Sequence, residues 1–486
     1  MGELEVRVRA GRLRGRLESG VAVFTGIPFA EPPARFAAPR PVEAWDGIRD
    51  ALAYGPPPPQ SGLFGMDALA GAAEGWLTLN VWTPDPAANL PVMVWIQGGG
   101  YLFGTSGLPE YDGGRLARDG GVVVVTFNYR VGIEGFAQID GAPANRGLLD
   151  QVAALEWVRD NIGAFGGDPS RVTVFGQSAG GGSVAALLAM PRAEGLFRRA
   201  IVQSMPGTFF TPELAADVTA VLTASVGTDL AAVPPGELPA AADALLATIG
   251  RYADRWGLAA HRSVPVGPVV DGFTLPTDPW RALTGGAARD VDLIAGHVRD
   301  EQRLFDLIDG TLGRVTEEQA ATALELFAPG PDGVARYRTA GGGPSDLYDQ
   351  VHSDWLFRMP SLHLAEAHTG RTHVYELTWP APGLGGVLGA CHGLDVPLVF
   401  GNLTSGQPAM LLADNLDEAS TVSAQMRRAW TAFATTGDPG WPAYDGERLT
   451  QVFDIDRAVV PYPEEASRQI WQHHAFSPLP LLGSGG

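Results

Sequence analysis

The chain of 486 residues contains no lysine: all 34 of its basic residues are arginine. Against 54 acidic residues they leave a formal net charge of −20. Nucleic acid and anionic membrane surfaces repel such a chain, so neither is an expected partner. There is one cysteine, Cys391, which excludes an internal disulfide and is compatible with a reducing cytoplasm, the expected compartment. No run of about eighteen apolar residues occurs, so no spanning helix is expected. The opening stretch, MGELEVRVRAGRLRG, alternates charged and apolar residues and has no apolar core of the kind a signal peptide needs. Val6 breaks the myristoylation pattern. Internal repeats and disordered linkers are also absent.

What is abundant is glycine (63), proline (39) and apolar side chains (45%). With alanine common and lysine missing, GC-rich codon usage, adaptation to salt and engineering all fit. Length alone suggests about three domains. The order of the segments argues instead for one large α/β domain spanning 1–486.

Arg171 to Met190, RVTVFGQSAGGGSVAALLAM, organises that order. Val172, Val174 and Phe175 have strand character, and the stretch from Val184 to Met190 is rich in alanine and leucine, as a helix would be. Between them Gly176-Gln177-Ser178-Ala179-Gly180 has the G-x-S-x-G form of a nucleophile elbow. A serine alcohol is a poor nucleophile unless its oxygen is exposed beside a base, and a sharp strand-to-helix turn exposes it. The turn crowds the backbone, so the positions two before and two after the serine must be small. The helix that follows points its N-terminus at the site, favouring developing negative charge.

Leu4 to Val8 and Arg12 to Leu17 alternate as a short hairpin. Phe24 to Phe36 carries Pro28, Pro32 and Pro33 and is expected to be an ordered, extended loop. A second loop runs from Tyr54 to Trp76. Its Leu63, Phe64 and Met66 either cover the core or wall a substrate gorge. Thr78–Thr83 and Pro91–Ile96 read as strands. The second runs straight into Gln97-Gly98-Gly99-Gly100-Tyr101. Consecutive glycines there are a flexible turn taken alone; with an elbow downstream they suit an oxyanion hole, in which backbone N–H groups hold a tetrahedral intermediate.

The mostly apolar run from Gly121 to Asn128 fits a strand buried on both faces. Leu148 to Ile162 has helical spacing, Arg199 to Gln203 and Val291 to Ala295 are further strands, and such alternation gives a doubly wound α/β sheet. Pro212 to Ala260 is Ala/Leu-rich and helical. Thr316 to Arg338 and Asp346 to His368 are further helices. His373 to Trp379 is a late strand, Ser420 to Thr436 an amphipathic helix, and Gln451 to Asp454 a last edge strand.

Gly26-Ile27-Pro28-Phe29-Ala30, Leu79-Asn80-Val81-Trp82, Trp95 to Gly100, Asn128-Tyr129-Arg130, Asn145 to Gln151 and Phe165 to Pro169 form a series with the elbow, Gly267 to Gly272, His392-Gly393 and Trp430 to Pro439. In this series the chain resembles the type-B carboxylesterases, the family that includes the cholinesterases. The resemblance implies an α/β-hydrolase fold: a large, mostly parallel sheet flanked by helices, with helical insertions around 210–260 and 315–370 forming a cap over the active site. It also implies a Ser–Glu–His triad in that chain order. Ser178 matches the nucleophile. Glu301, in Asp300-Glu301-Gln302, matches the acid, with Gln302 where a glycine is usual. His392, followed by Gly393 and Asp395 and then Phe400-Gly401, matches the base.

The oxyanion donors so implied are the N–H groups of Gly99, Gly100 and Ala179. Gln97 stands where the family commonly has histidine and is expected to tie the glycine loop down. Ser204 matches a serine beside the acid and histidine. The activity implied is hydrolysis of small carboxylic esters through an acyl-enzyme, with no metal and no organic cofactor. The same groups would serve an amide or carbamate hydrolase. A non-catalytic binding protein of the same fold is disfavoured because Ser178, Glu301 and His392 are all present. The number of subunits is not legible.

Overall fold

A computed structural model describes residues 4–32, 34–62, 74–261, 265–413 and 415–483. Its frame is one 13-stranded sheet. Twelve strands lie on the main path: β1 Leu4–Val8, β2 Gly11–Glu18, β3 Val21–Pro28, β4 Thr78–Thr83, β5 Leu90–Ile96, β6 Val123–Phe127, β7 Gly167–Gln177, β8 Arg199–Gln203, β9 Asp292–Val298, β10 Thr372–Leu377, β11 Leu449–Phe453 and β12 Ala458–Pro461. Their spatial order is β1-β2-β3-β4-β6-β5-β7-β8-β9-β10-β11-β12, and the short strand Ile48–Asp50 pairs with β2. From β6 through β11 every pairing is parallel; β1 to β4 and β12 are antiparallel additions.

A parallel sheet must be covered on both faces, because its crossovers put helices on each side. The side chains divide accordingly. Val92, Val94 and Ile96 of β5 enter one core with Val172 and Val174, whereas Met93 and Trp95 enter the other with Phe175 and Ile201. This is the strand period of two written in hydrophobic residues on both sides. The first face is covered by helices Arg146–Asn161, Ala179–Ala189 and Met359–Ala367, the second by Gly114–Gly120, Asp395–Phe400 and Leu416–Thr436. A third cluster joins helices Pro212–Val226 and Leu238–Leu246 to Trp256, Phe36, Ile133 and Leu479. The layered α/β architecture, with its large, mostly parallel sheet and flanking helices, is the one the sequence implies.

Several segment boundaries move. Phe24 to Pro28 is strand rather than loop: Pro28 ends β3 opposite Thr78, and the next cross-strand bond is made by Phe29 N–H, which donates to Leu77 O at 3.1 Å, so the N–H that proline lacks is not called on. Pro33, Leu63, Phe64 and Met66 lie outside the described residues. The segment from Thr316 to Arg338 divides into helices Glu317–Phe327 and Gly333–Ala340. Asp346 to His368 is interrupted by a π-turn, Asp354–Arg358. Leu449–Phe453 is not the sheet edge, because Ala458–Pro461 pairs outside it.

Two buried arginines show what the early motifs hold. Arg130 grips Asp150 at 2.7 and 2.8 Å, both side chains being buried. Arg146 donates to the backbone carbonyls of Ile133, Glu134, Pro143 and Ala137. Both fix the segment after β6 against helix Arg146–Asn161, beside the glycine loop.

Candidate active site

β7 lies between β5 and β8 in the middle of the sheet and ends at Gln177. The next residue, Ser178, has φ 58° and ψ −127°. A non-glycine residue at positive φ is strained and persists only where its surroundings enforce it. Here Ser178 N–H donates to Gln203 O at 3.0 Å and Ser178 O accepts from Gly182 N–H at 2.9 Å. Helix Ala179–Ala189 starts at once, and the Ser178 hydroxyl does not cap it. The requirement for small flanking residues has a direct cause: a Cβ on Gly180 would stand 2.0 Å from Ile96 O, and one on Gly176 would stand 2.6 Å from the Gly180 backbone.

Glu301 and His392 come from separate loops that a backbone bridge draws together. Asp300 N–H donates to Ala390 O at 2.9 Å, and Ala390 N–H donates to Asp300 Oδ2 at 2.8 Å. Asp300 also pairs with Arg303 at 3.1 Å. The loop-clamping carboxylate is therefore Asp300, which frees its neighbour. Glu301 is fully buried; its Oε2 lies 2.5 Å from His392 Nδ1 and its Oε1 accepts from Val298 N–H at 3.2 Å. The His392 ring is flanked by Phe357 and Phe305, with centroids at 4.2 and 5.3 Å. Its other nitrogen, Nε2, lies 3.1 Å from Nε2 of Gln177. The structure thus joins Glu301 to His392 and places Gln177, not the Ser178 hydroxyl, in hydrogen-bond contact with the imidazole.

The glycine loop lies against the elbow. A Cβ on Gly98 would meet Gln177 O at 2.9 Å and Ser178 Cβ at 3.1 Å. Gly99 and Gly100 have φ of 105° and 60°. Among the described residues, the N–H groups of Gly99, Gly100 and Ala179 donate to no protein atom. Gln97 does not tie the loop as expected: both polar atoms of its buried amide lack partners. Instead Tyr129 OH donates to Gln97 O at 2.8 Å, and the buried Gln60 accepts from Gly104 N–H at 2.8 Å. Nothing in the sequence marks Gln60, which comes from a proline-rich loop 44 residues away.

Ser204 has φ 47° and a buried hydroxyl without a partner. The side-chain polar contacts in that region belong to its neighbour: Gln203 donates to Asp395 Oδ2 at 2.8 Å and accepts from Trp430 Nε1 at 3.0 Å. Tyr375 OH donates to the same carboxylate oxygen at 3.1 Å. Burial, reinforced by the charge of Glu301, pushes the Asp395 carboxyl up to about 6 despite these donors. Burial likewise pushes the Cys391 thiol up to about 12, so it stays a neutral thiol beside His392. The described residues contain no group of three or more His, Cys, Asp or Glu side chains arranged to hold a metal. No helix among them is long and apolar enough to cross a membrane.

The carboxylesterase family profile matches residues 2–325 and 340–471. The chain belongs to that family. It is 40% identical to the para-nitrobenzyl esterase of Bacillus subtilis over 96% of this chain and 97% of the relative. It is 36% identical to the phenmedipham hydrolase of Pseudarthrobacter oxydans, covering 90% and 92%. A solved PNB esterase superposes with a TM-score of 0.85 at 38% identity over 96% of this chain and 99% of the other. A carboxylesterase from Geobacillus stearothermophilus gives 0.84 at 36%, covering 96% and 100%. The fold is that of the α/β-hydrolases, and this carboxylesterase is a carboxylic ester hydrolase acting on small-molecule esters.

Proposed function

We propose that this carboxylesterase works through a Ser178–His392–Glu301 triad and an acyl-enzyme. The observation that carries the reading is the 2.5 Å contact of Glu301 with His392 Nδ1, made beside a serine held at positive φ. With Nδ1–H committed to Glu301, the neutral imidazole carries its lone pair on Nε2, the tautomer a general base needs. His392 takes the Ser178 proton as Oγ attacks the acyl carbon. Glu301 orients the ring and stabilises its charged form, and the Gly99, Gly100 and Ala179 N–H groups hold the oxyanion. Each such donor typically accounts for about 10²–10³ in turnover. The alcohol departs with the proton from His392. Water then attacks the acyl-enzyme with the same base, releasing the acid and restoring Ser178.

Ser178→Ala is the direct test. Hydrolysis of a p-nitrophenyl ester should vanish while the melting profile stays normal, and an organophosphate should label the wild type on Ser178 alone. An adduct found by mass spectrometry on another serine would refute the assignment. The relative named phenmedipham hydrolase supports a second reading, in which the same groups also cleave carbamates. Rates on matched ester, amide and carbamate substrates separate the two.

A further inference from the structure

The Gln177 amide stands 3.1 Å from the nitrogen that the mechanism reserves for the serine proton. The chemistry of the pair fixes how the amide is turned. Glu301 occupies Nδ1, so neutral His392 has on Nε2 one in-plane lone pair and no hydrogen. Only the NH₂ end of an amide can pair with it. One lone pair accepts one good hydrogen bond, so while Gln177 donates to Nε2 the Ser178 O–H cannot. The Ser178 hydroxyl in fact makes no hydrogen bond to His392. Gln177 is the last residue of the strand that leads into the elbow. It lies in register with Gln203, it is only 6% exposed, and Gly98 packs against its carbonyl.

We propose that Gln177 is a positioning residue that donates to His392 Nε2 in the free enzyme and surrenders that nitrogen to Ser178 when substrate enters. This rests on the triad reading above. A primary amide suits the place because it serves both protonation states. Its NH₂ pairs with the neutral imidazole, and its C=O, after a half-turn of the amide, accepts from the imidazolium that forms in the tetrahedral intermediate. No proton moves to or from Gln177 itself. The titratable groups around the ring are Glu301 at Nδ1 and Asp395 from the following turn, whose carboxyl burial pushes up, and its faces are covered by the uncharged Phe305 and Phe357. A carboxylate in place of the amide would favour only the imidazolium; a thioether would favour neither state.

The test compares wild type, Gln177→Glu and Gln177→Met on p-nitrophenyl acetate from pH 5 to 9, with active sites counted by organophosphate titration. The acidic limb of kcat/KM should move to higher pH by about one unit in Gln177→Glu. In Gln177→Met, which loses the partner of both protonation states, it should move by less than in Gln177→Glu, while kcat falls because the ring is no longer positioned. A limb that coincides in all three proteins overturns the proposal. Should either variant fail to fold, ¹⁵N-histidine spectra of wild type and Ser178→Ala decide. The His392 Nε2 resonance stays in place if Gln177 is its donor, and moves towards that of a free lone pair if Ser178 is, which overturns the proposal. Ester turnover surviving in Ser178→Ala would instead refute the triad, so the two failures are distinguishable.

Discussion

Asp300 and Glu301 are adjacent carboxylates with separate tasks, one clamping the Ala390 loop and the other meeting His392. If Glu301 is the acid of the proposed triad, Glu301→Gln should lower kcat at least about 10²-fold, because such an acid fixes the base's tautomer and charge. Asp300→Asn keeps an oxygen for Ala390 N–H and loses the pairing with Arg303, so it should cost less. If it costs more on one short-chain ester while both proteins stay folded, the acid has been misassigned. Asp395 offers a second measurement. Its carboxyl titrates near 6 in the fold against an ordinary value of 3.8, so between those pH values the folded state binds more protons than the unfolded one. That part of the stability is complete below about pH 4 and is lost as pH rises through about 6. Asp395→Asn has no proton to lose. Wild type should therefore lose ground against this variant in urea unfolding from pH 4.5 to 7; parallel curves would show that Asp395 is ionised throughout. Of these residues, Ser178 could be read from its own turn, because strand, glycines and helix are contiguous. Glu301 and His392 could be read only through the family pattern, and the Gln203–Asp395 contact not at all. It joins residues 192 apart, and pairing at that distance depends on where two loops end.

At the scale of elements, period and turn chemistry carried most of the reading. The runs in β5, β6 and β7 are apolar at both odd and even positions because the sheet is covered on both faces, and a buried parallel strand has no polar side to betray its register. The exceptions are local. The prolines from Pro28 onward suggest a loop, yet sheet pairing extends to Pro28 itself, because the cross-strand bond there comes from Phe29 N–H rather than from the proline. The π-turn at Asp354–Arg358 has no sequence signal; within it Arg358 is paired with Asp354 at 2.6 Å and Phe357 reaches the face of His392. The elbow gives the sharpest test of an element. Gly180→Ala forces a methyl to within 2.0 Å of Ile96 O unless β5 and helix Ala179–Ala189 separate. It should cost about 1–3 kcal/mol in stability and shift Ser178 out of place, lowering turnover more than tenfold. Gly163→Ala, where nothing lies within 4 Å of the new methyl, is the control and should be near neutral. Equal melting temperatures and equal turnover for the two variants would show that the elbow is not crowded.

Across the whole molecule, charge is the property the sequence states most directly and the fold alters least. Arginine supplies every basic side chain, and its planar fork suits the buried ion pairs with Asp150 and Asp354. Pairing does not change the total, so 54 carboxylates against 34 guanidiniums surround the site with a field of net −20. Such a field raises the local concentration of cations and lowers that of anions near a cleft, and salt screens it over about 10 Å at 0.1 M. The Glu301–His392 contact is buried and short, and is screened far less. Chemistry and encounter should therefore respond differently to ionic strength. Between 0.02 and 0.5 M NaCl, kcat/KM for a neutral p-nitrophenyl ester should stay nearly flat. For an ester of the same size with a quaternary ammonium group it should fall at least about threefold, and for one with a sulfonate it should rise by a similar factor. Turnover at saturation should change little for any of the three. Parallel salt curves for the three esters would mean that the net charge does not reach the site; a fall in kcat for the neutral ester would mean that salt reaches the Glu301–His392 pair.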